Sequence, residues 1–133
     1  MKAVFADTFY FLALLNPRDA AHARAVAATR KLQGQLITTA WVLTEFADAM
    51  SAPPNRSEFI STLDDLRKNP DVQVVPANDA LFDEGVQLFA NRLDKEWSLT
   101  DCISFVVMEQ NGLTEALTGD HHFEQAGFVA LLK

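Results

Sequence analysis

The pattern of apolar and polar positions changes period several times along the chain. Ala3–Val4–Phe5–Ala6 is a short apolar run that meets Asp7 and passes into a helical pattern over Thr8–Leu15, ended by Asn16–Pro17. Asp19 is placed to cap a second, Ala-rich helix over Ala20–Leu32, with Gly34 as its stop. Gln35–Thr38 reads as a second strand. Thr39–Ser51 reads as a helix with Trp41, Leu43, Phe46 and Met50 apolar, ended by Pro53–Pro54. Arg56–Asn69 repeats the three-and-four spacing through Phe59, Ile60, Leu63 and Leu66, and Pro70 closes it.

Val72–Val75, rich in β-branched residues, is a third strand. Asn78 or Asp79 then opens a long helix to about Leu93, whose apolar side is expected to be Leu81, Phe82, Val86, Phe89 and Leu93. Ser98 caps the most apolar helix, Leu99–Asn111, which Gly112 ends. Ile103, Phe105, Val106, Val107 and Met108 cover most of its circumference, which predicts a central position. Glu115–Thr118 is a fourth strand, Asp120–Ala126 a turn and short helix, and Val129–Leu132 a last strand. Short strands alternating with helices predict an α/β fold with a parallel sheet covered on both faces.

A length of 133 residues fits one domain spanning residues 1–133. No apolar run reaches the ~20 residues that cross a bilayer, and Asp7 interrupts the opening segment where a secretion signal would be apolar. Cytoplasmic residence without membrane association is the expectation. The single Cys102 excludes an internal disulfide and reads as a small buried hydrophobe. A net charge of −7 argues against nucleic acid unless acids converge on metal ions, which reverse the local sign.

Four acids stand where surface charge would not put them. Asp7 ends the first strand, Glu45 lies in an otherwise apolar helix, Asp101 opens the central helix, and Asp120 follows the fourth strand. Each has a simpler reading: caps for Asp7, Asp101 and Asp120, and a water-reaching helix edge for Glu45. Together they point elsewhere, because the carboxyl ends of parallel strands open on one rim where ligands bind. Converging carboxylates repel unless cations are present, and an all-oxygen donor set suits Mg²⁺ or Mn²⁺. Such a centre hydrolyses phosphodiesters. Thr8, Thr118, Ser98 and Ser104 are placed to orient carboxylates, with capping or core hydrogen bonding as the alternative for each. His121 and His122 are adjacent on a short helix and point about 100° apart, so they read as helix-end polarity, with at most one facing the acids. His22 lies on a polar face and is given no role.

Asp7-Thr8 after a strand, Thr44-Glu45-Phe46 in a helix, Ser98-Leu99-Thr100-Asp101-Cys102-Ile103-Ser104-Phe105 opening another, and Thr118-Gly119-Asp120-His121-His122-Phe123 before Gly127-Phe128 resemble the PIN-domain ribonucleases, in particular the VapC-type toxins of toxin–antitoxin pairs. The resemblance covers the whole chain. It implies a PIN-like three-layer fold with four or five short strands, and a Mg²⁺- or Mn²⁺-dependent endoribonuclease acting through Asp7, Glu45, Asp101 and Asp120. It further implies a homodimer held inactive by a protein antitoxin. Phe9 departs from the pattern, standing where many relatives carry a small polar residue. No basic stripe is evident, and Arg24, Arg92 and Lys95 are the candidate RNA phosphate contacts. A receiver-type phosphoacceptor would need an acid in place of Ala6, and a haloacid-dehalogenase-type phosphatase an Asp in place of Phe9. A PIN-fold module that binds a protein partner with little or no turnover is the remaining alternative.

Overall fold

The computed structural model describes residues 2–133. Five short strands, β1 (Val4–Ala6), β2 (Leu36–Thr39), β3 (Val72–Val75), β4 (Glu115–Leu117) and β5 (Val129–Ala130), form one sheet in the order β3-β2-β1-β4-β5. Every neighbouring pair is parallel. The helices are α1 (Thr8–Leu15), α2 (His22–Lys31), α3 (Ala40–Ala49), α4 (Pro53–Lys68), α5 (Asp79–Asn91), α6 (Leu99–Gln110) and α7 (His121–Gln125). The three-layer α/β arrangement expected from the sequence is the one found. Among the described residues, no helix is long and apolar enough to cross a membrane.

The chain moves one way along the sheet from β1 to β3, then crosses back to β4 on the other side of β1. Right-handed crossovers therefore place α1–α4 on one face and α5–α7 on the other. The order reverses between β1 and β4, and it is outside the carboxyl ends at such a point that open α/β sheets bind ligands. Ala6 pairs with Leu117, so Asp7 and Thr118 leave the sheet side by side.

β1 is buried throughout, and Phe5, Phe11, Phe46, Ile103, Met108, Leu117 and Phe123 are among the largest fully buried side chains. Phe11 stacks on Phe46 with ring centroids 5.2 Å apart, and Phe105 meets Phe123 edge-on at 4.9 Å. As its composition predicts, α6 is central: Asp101 to Phe105, Val107 and Met108 are all buried.

Two expectations change. Pro53–Pro54 do not simply end α3; they form the first turn of α4, where proline's missing N–H is not needed and its fixed φ suits a helix. The face of α5 is also rotated from the expected one. Leu81 and Gly85 are buried, while Phe82, Val86, Phe89 and Leu93 are exposed, Leu93 at 91%. The glycine explains the rotation: a Cβ at Gly85 would sit 2.3 Å from Ile103 Cγ1, so α5 approaches α6 on its narrowest side.

Gly34, just before β2, meets a harder limit. A Cβ there would lie 1.7 Å from the Lys2 carbonyl oxygen, a backbone atom that no rotamer change can move aside. Gly34→Ala is expected to cost about 3 kcal/mol, read as a lower urea midpoint with an unchanged m-value.

Candidate active site at the carboxyl rim

Asp7 follows β1 directly and is only 5% exposed. It stands at the N-cap position of α1, yet its side chain makes no capping hydrogen bond and touches only the adjacent Thr8 backbone there. Instead its Oδ2 accepts a 2.9 Å hydrogen bond from Thr118 Oγ1. Burial pushes the Asp7 carboxyl up to about 7, and the nearby negative charges of Asp101 and Glu45 push the same way. Hydrogen bonds from the Thr118 side chain and the Thr8 backbone hold it down from going further. Thr118→Val should thus move the Asp7 titration midpoint above about 7, as a carboxyl-carbon NMR titration would show.

Thr118 is fully buried and holds two acids at once, since its Oγ1 also accepts the Asp120 backbone N–H at 3.0 Å. Asp120 is half-buried and caps α7 by accepting the His122 N–H at 2.9 Å. Asp101 is buried at the start of α6 in a complete capping box. Its backbone N–H donates to Ser98 Oγ at 3.0 Å, and its Oδ2 accepts the Ser98 N–H at 3.2 Å. The capping reading of Asp101 is correct, yet Asp101 also acts electrostatically on Asp7. Glu45 is exposed on α3, and Thr8 Oγ1 donates to its Oε1 at 2.5 Å across from α1. Among the described residues, the Lys and Arg ion pairs all fall on other acids.

Three sequence assignments need revision. His122, read as helix-end polarity, turns into the acids: its Nδ1 lies 3.0 Å from Asp101 Oδ2 and 3.6 Å from Asp120 Oδ1. Residue types alone pointed to it, but only the docking of α7 on α6 shows which histidine faces inward. His121 is exposed and reaches only Asp120, at 3.6 Å. Ser104 spends its hydroxyl hydrogen on the Thr100 carbonyl at 2.9 Å, so it cannot also donate to a carboxylate. Arg24 lines a cavity with Lys2, Gly34 and Glu115 at the amino ends of the strands, the rim opposite the acids. His22 has a structural contact, Nδ1 to the Ala13 carbonyl at 2.8 Å.

Arg92 and Lys95 lie in the connection between α5 and α6. Arg92 is already committed, paired with Asp94 at 3.0 and 3.1 Å and lying 4.8 Å over the Trp97 ring. Lys95 is 3.9 Å from the same Asp94. Cys102 is fully buried, and burial with the Asp101 charge beside it pushes the thiol up to about 11, which makes it inert as a nucleophile. Phe9 packs its ring where Gly119 has no side chain; a Cβ there would lie 2.5 Å from Phe9 Cζ. The departure at Phe9 is thus matched by a glycine in the loop that carries Asp120.

The sequence matches the PIN domain family across residues 4–129. The chain belongs to the PIN-domain family. It is 26% identical over 126 residues to the 23S rRNA-specific endonuclease VapC20 of Mycobacterium tuberculosis, covering 95% of each protein. The crystal structure of M. tuberculosis VapC20, described as a Sarcin-Ricin loop cleaving toxin, matches with a TM-score of 0.86 and 25% identity over 95% of this chain and 96% of that one. FitAcB from Neisseria gonorrhoeae shares the fold with a TM-score of 0.66 and 19% identity, covering 96% of this chain and 94% of its own.

Proposed function

We propose that this chain, as one domain over residues 1–133, is a Mg²⁺- or Mn²⁺-dependent endoribonuclease and the toxin of a toxin–antitoxin pair. The observation that carries the reading is the buried Asp7 carboxyl, set against Asp101 and Glu45 with no basic side chain paired to it among the described residues. A fold gains no stability from such a carboxyl. The donor set fits a hard divalent cation, with Asp7, Asp101, Asp120 and Glu45 as the residues that would hold it.

A bound divalent ion supplies the water activation and charge neutralisation that in-line displacement at phosphorus requires. The residues of the chain do the positioning. Thr118 fixes one oxygen of Asp7 and the backbone of Asp120. The Ser98 N–H orients Asp101, and Thr8 orients Glu45. Arg92 and Lys95, in the connection before α6, are the residues that would contact RNA phosphate once released from Asp94. The similarity to VapC20 over nearly the full chain supports structured ribosomal RNA as the substrate class.

The exposed stripe Phe82–Val86–Phe89 on α5, with exposed Leu93 just past the helix end, supports partner binding, since apolar side chains at helical spacing form one face. We assign that face to a second copy of the chain, and the antitoxin to a separate surface. The same stripe is the observation favouring the second reading, a module that works by binding a protein without turnover. A melting experiment with added Mn²⁺ or Mg²⁺ separates the two readings. The nuclease reading expects the wild type to rise by about 2.7 kcal/mol in stability when the ion is at a hundredfold excess over its Kd, and Asp101→Asn to rise much less. No ion-dependent rise at millimolar concentration would leave only the binding module.

A further inference from the structure

Mg²⁺ and Mn²⁺ are often interchangeable at all-carboxylate centres, and the four acids by themselves do not choose between them. His122 changes the donor set. Its Nδ1 is 3.0 Å from Asp101 Oδ2 and 3.6 Å from Asp120 Oδ1, and its side chain is only 19% exposed. The ring is held by its Nδ1 contact to Asp101 Oδ2, and its backbone N–H is tied to Asp120 Oδ1. Asp120 and His122 therefore approach the site as one unit on the first turn of α7. Asp120, His121 and His122 offer ligand atoms that all lie within 4.8 Å of one another.

We propose that His122 is a nitrogen ligand in this centre, and that it makes the site select Mn²⁺ over Mg²⁺. The inference rests on the metal-site reading above. Adjacent ligands of an octahedral ion with bonds of about 2.1 Å are about 3.0 Å apart, which is the separation of His122 Nδ1 and Asp101 Oδ2. The two atoms are at hydrogen-bond distance, and an ion shared between them would replace that hydrogen bond at nearly the same separation. Mg²⁺ takes oxygen donors and gives up its waters reluctantly, whereas imidazole suits the first-row transition ions. His121 is excluded from the role by its exposure and by the absence of a contact to Asp101.

The test is pulsed electron paramagnetic resonance on the full chain loaded with Mn²⁺. A directly bound imidazole nitrogen gives a ¹⁴N coupling to the manganese spin that a carboxylate cannot give. The coupling is expected in the wild type and in His121→Ala and absent from His122→Ala, which keeps the backbone N–H that Asp120 caps. Competition between the two ions should show the Mn²⁺ preference falling roughly tenfold or more in His122→Ala. Manganese that binds the wild type without ¹⁴N coupling, or coupling that survives in His122→Ala, overturns the ligand assignment and leaves the carboxylate centre standing. No manganese binding at all overturns both. Should His122→Ala fail to fold, coupling retained in His121→Ala supports the assignment and a wild-type spectrum without coupling overturns it.

Discussion

Asp7→Asn should make the metal-free protein more stable at pH 8, by about 3 kcal/mol, while removing its activity. An unfolded Asp ionises near 3.8, and in the folded chain Asp7 holds its proton to about 7. Below pH 3.8 both states are protonated and folding carries no penalty from this group. As pH rises through that range the unfolded chain releases its proton and the folded chain does not, so stability falls until about pH 7. A shift of this size is worth about 4 kcal/mol once both states are ionised. Asn is neutral at every pH and nearly isosteric. It gives up about 1 kcal/mol where the hydrogen bonds with Thr118 and Thr8 must rearrange. Chemical denaturation at pH 4 and pH 8 in chelator checks the sign: the wild type should lose stability over this interval relative to Asp7→Asn. A wild type that gains on the variant as pH rises would mean that Asp7 is stabilised as an anion by a group not identified here.

The second large effect concerns α5. Phe82, Val86, Phe89 and, just past the helix, Leu93 recur at spacings of three and four, so their exposed apolar surface falls on one side. Phe89→Glu places a charge within that stripe without touching the core, since Phe89 is 49% exposed. If the face pairs with a second copy, the symmetric contact suffers twice. A central aromatic contact is worth about 2 kcal/mol or more, so the dimer dissociation constant should rise at least about thirtyfold. Sedimentation velocity across a concentration series reads this directly, with circular dichroism confirming an unchanged fold. A wild type that sediments as a monomer at every concentration would contradict the pairing.

Much of the fold was legible because sheet and helices follow their apolar periods closely. The strands Val72–Val75 and Glu115–Leu117, the caps Asn78 and Ser98, and the buried α6 all lie where their residue types predict. The α5 face misled because periodicity measures where apolar residues lie, not which side a neighbour covers. Gly85, with no apolar weight of its own, decided the packing by fitting against Ile103. Pro53–Pro54 misled because proline stops one helix and starts another with equal ease. Within the rim, Asp7 and Thr118 were readable from their places at strand ends, since parallel pairing of β1 with β4 forces them together. His122 was not, because its direction depends on how a five-residue helix docks. Arg24 was drawn to the wrong rim because a positive charge on a helix carries no sign of which end of the sheet it flanks.

The central claim is that the rim acids form a divalent-metal centre that cuts RNA internally. The most direct measurement is cleavage of an end-labelled ribosomal stem-loop RNA by the full chain, first in chelator and then with Mn²⁺ restored, alongside Asp7→Asn and Asp101→Asn. The account predicts internal cleavage by the wild type only with the ion present, and rates at least about a hundredfold lower for both variants. Cleavage that persists in chelator, or that survives both substitutions, would contradict it.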